Sequence, residues 1–256
     1  MLQAANLGAL GEIRHGFFTR EGGVSDAEFA ALNCGYSGGD DPERVEQNRA
    51  LAMARLGLAA ESLRTVRQVH GAAVVVARAP RPGRPTEAAD ALVSDLPGLT
   101  LGVLSADCAP VLLADPAAGV IGAAHAGWRG ALAGVIEATV RAMAGLGARP
   151  ERIQAAIGPC IAQASYEVGP DLQDAMLADD PDSASLFLPV AGSDRLRFDL
   201  ERYVLRRLAR AGVAAGEALA QDTLADETRF FSARRTRQRG GTRFGLLLSA
   251  IVLAER

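Results

Sequence analysis

The chain contains no lysine; all 27 of its basic residues are arginine. That absence removes whole mechanisms. A phosphate-binding GKS/T loop, the strand lysine of a kinase and a Schiff-base lysine all need a primary amine that this sequence does not supply. Histidine is also scarce: His15, His70 and His125 are the only three in 256 residues. The three cysteines, Cys34, Cys108 and Cys160, are odd in number and show no CxxC spacing, which argues for free thiols in a reducing compartment. Aromatic residues make up only 5% and the net charge is -3, so stacking platforms and a basic field for nucleic acid are both missing. No apolar run approaches the roughly 20 residues of a membrane helix, and the N-terminus MLQAANLGALGEIRHG lacks the charged start of a signal peptide. The expectation is a cytoplasmic protein without membrane or nucleic-acid partners.

What is present is a 49% hydrophobic content, enough for a large core, and a patterned centre. The segment HGFFTR reads as a strand and EGGVSD as a glycine turn. Asp41-Pro42 supplies an N-cap and a first-turn proline for a helix that buries Val45, Ala52 and Leu56. Residues 64–69 and 72–77 are strand-like around His70-Gly71, and the proline-rich 79–85 predicts an exposed loop. Short apolar runs at 99–105, 111–114 and 120–124 predict buried strands of one sheet. A helix over 131–146 stopped by Gly147 and Pro150, then a strand over 153–157, complete a strand-helix-strand signature. A helix over 199–211, a basic loop over 230–241 and a last strand over 244–253 follow. The expected class is α/β, and with no repeat or composition break the expectation is one domain over residues 1–256.

His70 and His125 stand at the ends of predicted strands with glycine close by, and Cys108 is also near a strand end. Such positions gather reactive groups in α/β proteins. Two imidazoles and one thiolate make a three-ligand zinc set with a fourth position free, although their spacing matches no fixed metal motif. The same residues also suit a Cys-His nucleophile pair, or three packed side chains. Asp107 is a candidate proton carrier or orienting group, or the cap of a turn. Arg67, Arg129 and Arg234-Arg235 are candidates for holding phosphate or carboxylate. Trp128 either packs its glycine turn or walls a pocket for a flat base. Gly158-Pro-Cys160 shares two letters with the zinc base deaminases, but the HxE and the second cysteine of their CxxC are missing, which disfavours that fold.

Taken in order, several blocks form a colinear pattern: FFTREGGVS at 17–25, GDDP at 39–42, Asn48-Arg49, RQVHG at 67–71 and ADA at 89–91. It continues with SADCAP at 105–110, HAGWRG at 125–130, IGPCI at 157–161, YEV at 166–168 and FSARR at 231–235. The chain resembles the family known as polyphenol oxidase, laccase-domain protein or purine nucleoside phosphorylase of the YfiH type. The resemblance implies a mixed α/β fold grouped with cysteine-hydrolase-like toxins, and one zinc held by His70, Cys108 and His125. Two departures stand out: Asp222-Thr223 where relatives tend to have Cys-Thr, and Cys34 in place of a leucine in an N-L-G turn.

The family carries two activities. A four-copper oxidase needs many more imidazoles than three, so a laccase reading would rest on copper taken up by the zinc ligands. Phosphorolysis of adenosine, inosine or methylthioadenosine, with some adenosine deamination, needs an anion site, a polarising centre and a pocket for a flat base. Arg67 or Arg129, the three-ligand metal and Trp128 match those needs, with Asp107 as the proton carrier and Ala126 and Gly127 kept small for substrate access. The expected partners are purine nucleosides and phosphate. A copper-dependent phenol oxidase and a zinc-stabilised scaffold are the alternatives.

Overall fold

A computed structural model describes residues 1–254. The chain opens with helix α1 (Ala5–Gly8), strand β1 (Ile13–Phe17) and helix α2 (Pro42–Arg55). Four strands follow: β2 (Leu63–Arg64), β3 (Val74–Val76), β4 (Ala91–Ser94) and β5 (Thr100–Ser105). The hairpin of β6 (Ala109–Asp115) and β7 (Val120–Ala126) leads into helices α3 (Trp128–Leu132) and α4 (Val135–Gly145), then strand β8 (Gln154–Ile157). Strand β9 (Glu167–Val168), helix α5 (Pro170–Asp179), strands β10 (Phe187–Pro189) and β11 (Leu196–Phe198) and helix α6 (Leu200–Arg210) come next. Strand β12 (Ala215–Ala218), helix α7 (Ala233–Gln238) and strand β13 (Leu247–Leu253) end it.

The strands form a mixed six-stranded sheet, β12-β8-β6-β7-β4-β3, a four-stranded sheet, β1-β13-β5-β2, and a small sheet, β10-β11-β9. Every residue of β6 and β7 is buried, which explains why these strands are continuous apolar runs without alternation. Their two faces nevertheless do different jobs, because successive side chains point to opposite sides of a strand. Leu112, Ala114, Ile121 and Ala123 pack with Leu101, Val103 and Ile251 of the second sheet. Val111, Leu113 and Ala124 pack with Val135, Val140 and Met143 of α4 and Tyr203 and Leu208 of α6. The result is three layers: sheet, sheet and helices. Gly122 lets α4 come close, since a β-carbon there would stand 3.0 Å from Met143 Sδ.

The expected α/β class holds, and the differences have local causes. The three central runs were expected in one sheet, but β5 belongs to the four-stranded sheet while β6 and β7 belong to the six-stranded one. A strand buried on both faces carries no signal of which neighbour it pairs with. The helix expected over 131–146 is broken at Gly134, whose φ of +90° cannot continue a right-handed helix. The segments expected as strands at 64–69 and 72–77 shorten to β2 and β3, because residues 67–71 instead form the loop that carries His70. The basic loop expected at 230–241 contains α7, where the Ser232 hydroxyl accepts the Arg235 amide at 3.1 Å. Helix α2 forms as the sequence predicts, with the Asp41 carboxylate accepting the Glu43 amide at 2.9 Å. The proline-rich segment is an exposed loop, and the last strand begins only at Leu247. Among the described residues, no helix is long and apolar enough to cross a membrane.

Candidate active site

Because β6 and β7 are antiparallel, the start of one lies beside the end of the other: Pro110 faces His125, and Cys108 comes just before β6. The loop after β2 brings His70 to the same place. Cys108 Sγ lies 4.0 Å from His70 Nε2, and the rings of His70 and His125 meet edge to face with centroids 4.9 Å apart. One donor atom from each of His70, Cys108 and His125 lies within 4.8 Å of the others, close enough to share one metal ion. The structure thus brings together the three residues that the sequence could only propose.

A residue that the sequence marked only within the ADA block, with no role attached, does much of the positioning. Asp90 is fully buried at the start of β4, and its carboxylate accepts the amides of Val69, His70 and Gly71 at 3.1, 2.9 and 2.7 Å. That grip holds His70 at a φ of +60°, a backbone conformation uncommon for anything but glycine. Asp90 Oδ1 also lies 2.9 Å from His125 Nδ1, and the Asp90 carbonyl accepts the His125 amide at 2.8 Å. With Nδ1 donating to the carboxylate, His125 keeps the lone pair of Nε2 for a ligand, the usual carboxylate-histidine-metal arrangement. The only mark of Asp90 in the sequence was the ADA block at 89–91 of the family pattern.

The electrostatics favour a thiolate. Burial pushes the Cys108 thiol up, but the neighbouring His125 and His70 outweigh it and hold the thiol well below its ordinary value. Burial pushes His125 down, and the Cys108 sulfur and Asp90 more than reverse this. For Asp90, burial is likewise outweighed by the hydrogen bonds from His125 and the amides, leaving the carboxyl below its usual range. Two nitrogens, one low-pKa sulfur and a buried orienting carboxylate are a donor set suited to zinc or copper.

A cavity of about 730 Å³ opens over these groups, and Arg67, Asp107, Trp128 and Arg129 are among the residues that line it. Arg67 and Arg129 are exposed, and the Arg129 guanidinium lies 4.3 Å from the centre of the Trp128 ring. Asp107 is nearly buried with a φ of +87°. Its carboxylate accepts the Thr223 hydroxyl at 2.8 Å and the Arg234 amide at 2.6 Å, and its carbonyl accepts the Ile161 amide at 2.9 Å. Asp107 therefore ties the crossover from β5 to β6 to the start of α7. Arg234 donates to the Glu167 carbonyl at 2.7 Å and covers Tyr166, another lining residue. Gly127 was expected to be small for substrate access, but it is small because a β-carbon there would stand 2.8 Å from Cys108 Sγ and 3.2 Å from His70 Cδ2. His15 is elsewhere: it is buried in β1, with Nε2 accepting the Ala4 amide at 2.9 Å.

The fold and the site define a mixed α/β protein with a three-donor group, able to hold a metal, at the wall of a deep cavity. Residues 14–254 match the family described as multi-copper polyphenol oxidoreductase laccase, and the chain belongs to that family. Its relatives carry another name. It is 40% identical over 222 residues to the Pseudomonas aeruginosa purine nucleoside phosphorylase PA4543, covering 87% of this chain and 88% of that one. It is 37% identical to the Escherichia coli purine nucleoside phosphorylase YfiH, again over 87% and 88%. The Deinococcus radiodurans purine nucleoside phosphorylase is 49% identical over a shorter stretch, 67% of this chain and 64% of that protein. Among solved structures, the Neisseria meningitidis protein NMB0706 superposes with a TM-score of 0.83 at 33% identity over 96% of both chains. The Bacillus licheniformis protein YfiH gives 0.86 at 29% identity, over 94% and 92%.

Proposed function

We propose that the chain is a zinc-dependent purine nucleoside phosphorylase acting on adenosine, inosine or methylthioadenosine. The observation that carries this reading is the three-donor group at the wall of a cavity lined by arginines and a tryptophan, in a chain whose relatives bear the phosphorylase name. In the reaction the bond from the base nitrogen to ribose C1′ breaks, and a phosphate oxygen bonds to C1′. The base departs with the electron pair and takes up a proton supplied by the phosphate or by solvent.

His70, Cys108 and His125 would hold the ion, which supplies Lewis-acid chemistry when bound. Asp90 fixes the His125 imidazole through Nδ1 and the backbone of the His70 loop through its amides, so the donor geometry is set before substrate arrives. Arg67 and Arg129 place positive charge at the exposed side of the cavity, where they draw in phosphate. Trp128 offers a flat face for the purine. Both oxygens of Asp107 are taken by protein donors, which suits it to holding the loop rather than to the proton transfer expected of it.

The test is to incubate metal-replete protein with inosine, with and without phosphate. Hypoxanthine should appear only with phosphate, and failure to release base from any purine nucleoside would sink the reading. Adenosine incubated without phosphate tests deamination in the same assay, through the appearance of inosine. The family description favours copper as a second reading, and copper suits the same donors. Several coppers per chain, with phenol oxidation, would establish it in place of phosphorolysis.

A further inference from the structure

Among the described residues four arginines are buried: Arg49, Arg64, Arg207 and Arg235. Three of them have carboxylate partners. Arg64 pairs with Glu87, Arg207 with Glu137 and Asp179, and Arg235 lies 3.7 Å from Glu227. Arg49 has no ion-pair partner among the described residues. A guanidinium cannot escape burial by losing its proton, so a buried one without an anion costs several kcal/mol, on the order of the penalty for any unpaired buried ion.

The surroundings of Arg49 use only part of its donor set. Its Nε donates to the Cys34 carbonyl at 2.9 Å, its Nη1 to the Thr65 hydroxyl at 3.3 Å, and its carbon Cζ lies 4.4 Å from the centre of the Tyr36 ring. Nη2 is buried and has no partner. Glu46, the nearby acid, is engaged by the Tyr36 hydroxyl at 2.6 Å. Arg49 is 6% exposed and lines the same cavity as the His-Cys-His group.

A second orphan lines that cavity. Ser105, at the end of β5, is 2% exposed, and its hydroxyl has no partner. The two are linked through the backbone. Ser105 stands opposite Leu247 in the β5–β13 register, and the neighbouring Leu246 carbonyl accepts the amide of Cys34, whose own carbonyl holds Arg49 Nε. One unpartnered guanidinium nitrogen and one unpartnered hydroxyl, both on residues lining the cavity, are donors that a tetrahedral oxyanion can accept.

We propose that Arg49 and Ser105 form a phosphate subsite in the cavity, with Tyr36 stacked behind the guanidinium. This deepens the phosphorylase reading and rests on it for the identity of the anion. It divides the labour among the arginines: Arg67 and Arg129 are exposed and attract phosphate, whereas buried Arg49 seats it. Burial also holds the Arg49 guanidinium below its ordinary range, a cost that a bound dianion relieves. The anion arrives either as free phosphate or as the ester of a nucleotide.

The experiment titrates metal-loaded protein with inorganic phosphate by calorimetry, without nucleoside, for wild type, Arg49→Lys and Ser105→Ala. Both variants should bind phosphate about tenfold or more weakly, since each removes a direct donor to a charged ligand. The KM for inosine should stay put while the KM for phosphate rises. Ser105→Ala guards against misfolding: removing an unpartnered buried hydroxyl should leave the melting temperature of the free protein unchanged or slightly raised, yet abolish most of the upward shift caused by phosphate. Unchanged phosphate binding in both variants overturns the subsite, whether or not nucleosides are cleaved. Arg49-dependent phosphate binding with no cleavage of any nucleoside overturns the phosphorylase reading and leaves the subsite standing. A parallel titration with inosine 5′-monophosphate separates the sources. If it alone binds in an Arg49-dependent way, the anion is a nucleotide phosphate and the assignment to free phosphate falls.

Discussion

Buried aspartates stand near both ends of the β6–β7 hairpin, and the two ends are finished in opposite ways. At the turn end, Asp115 accepts the amides of Ala117, Ala118 and Arg149 at 3.1, 3.2 and 2.8 Å, and Nε and Nη2 of Arg152 at 3.1 and 2.8 Å. Its hydrogen-bonding capacity is spent on the protein itself. At the other end, Asp90 and Asp107 fix loops whose remaining groups, Cys108 and His70, stay partly open to a cavity. One pair of strands thus provides a closed end that stabilises the fold and an open end with donors to spare. Reactive groups need the rigid frame, but they cannot be consumed by it.

Breaking the open end should separate function from stability most sharply. Cys108→Ala is expected to abolish bound metal and turnover, while metal-free protein keeps its melting temperature. Metal analysis and the nucleoside assay read the first, and thermal denaturation the second. A zinc-stabilised scaffold would instead keep its biological role in a Cys108→Ala variant that folds normally.

The converse substitution, Asp115→Ala, leaves buried amides and Arg152 unpaired, and should cost about 3 kcal/mol of stability. Turnover per folded molecule should be unchanged. Burial raises the Asp115 carboxyl, but the bonds from Arg152, Arg149 and Ala118 prevail and hold it below 3.8. Its contribution is therefore fully present above the unfolded value and is lost as pH falls through the lower folded value. In Asp115→Asn the acid limb of a stability-pH profile should flatten. An acid limb of wild-type steepness in that variant would show that Asp115 is not the titrating group.

Asp90→Asn is the smallest of these changes and bears on the comparison itself, because Asp90 serves the site in the manner that Asp115 serves the turn. The amide keeps one acceptor oxygen but loses the charge facing His125. Metal affinity should fall about 10- to 100-fold, the usual effect of removing a carboxylate behind a ligand histidine. Competition with a chelator measures it. An unchanged affinity would reduce Asp90 to a loop anchor.

The order of elements was legible where one residue's chemistry decides the matter locally. The start of α2 follows from Asp41-Pro42, the end of α4 from Gly147, and the exposed loop from the prolines at 79–85. Gly134 was misjudged because glycine is tolerated inside helices, and only its left-handed backbone shows that the chain turns there. Helix α7 was hidden by its arginines, which look like a solvated loop until Ser232 caps them. The candidate ligands were visible as residue types, and the family blocks singled them out. Asp90 lay within one of those blocks but drew no role, since a buried acceptor for three amides and an imidazole has no periodicity that announces it.

The sequence by itself determined the α/β class, the exclusion of lysine chemistry and the scarcity of histidine, because composition and short-range pattern suffice for these. Only the tertiary structure decided that His70, Cys108 and His125 meet, that Asp90 aims His125 and holds the His70 loop, and that Arg49 lies buried without a counter-charge among the described residues. Those facts depend on which strands become neighbours. Pairing is settled by packing across the whole core, and no local stretch of chain encodes it.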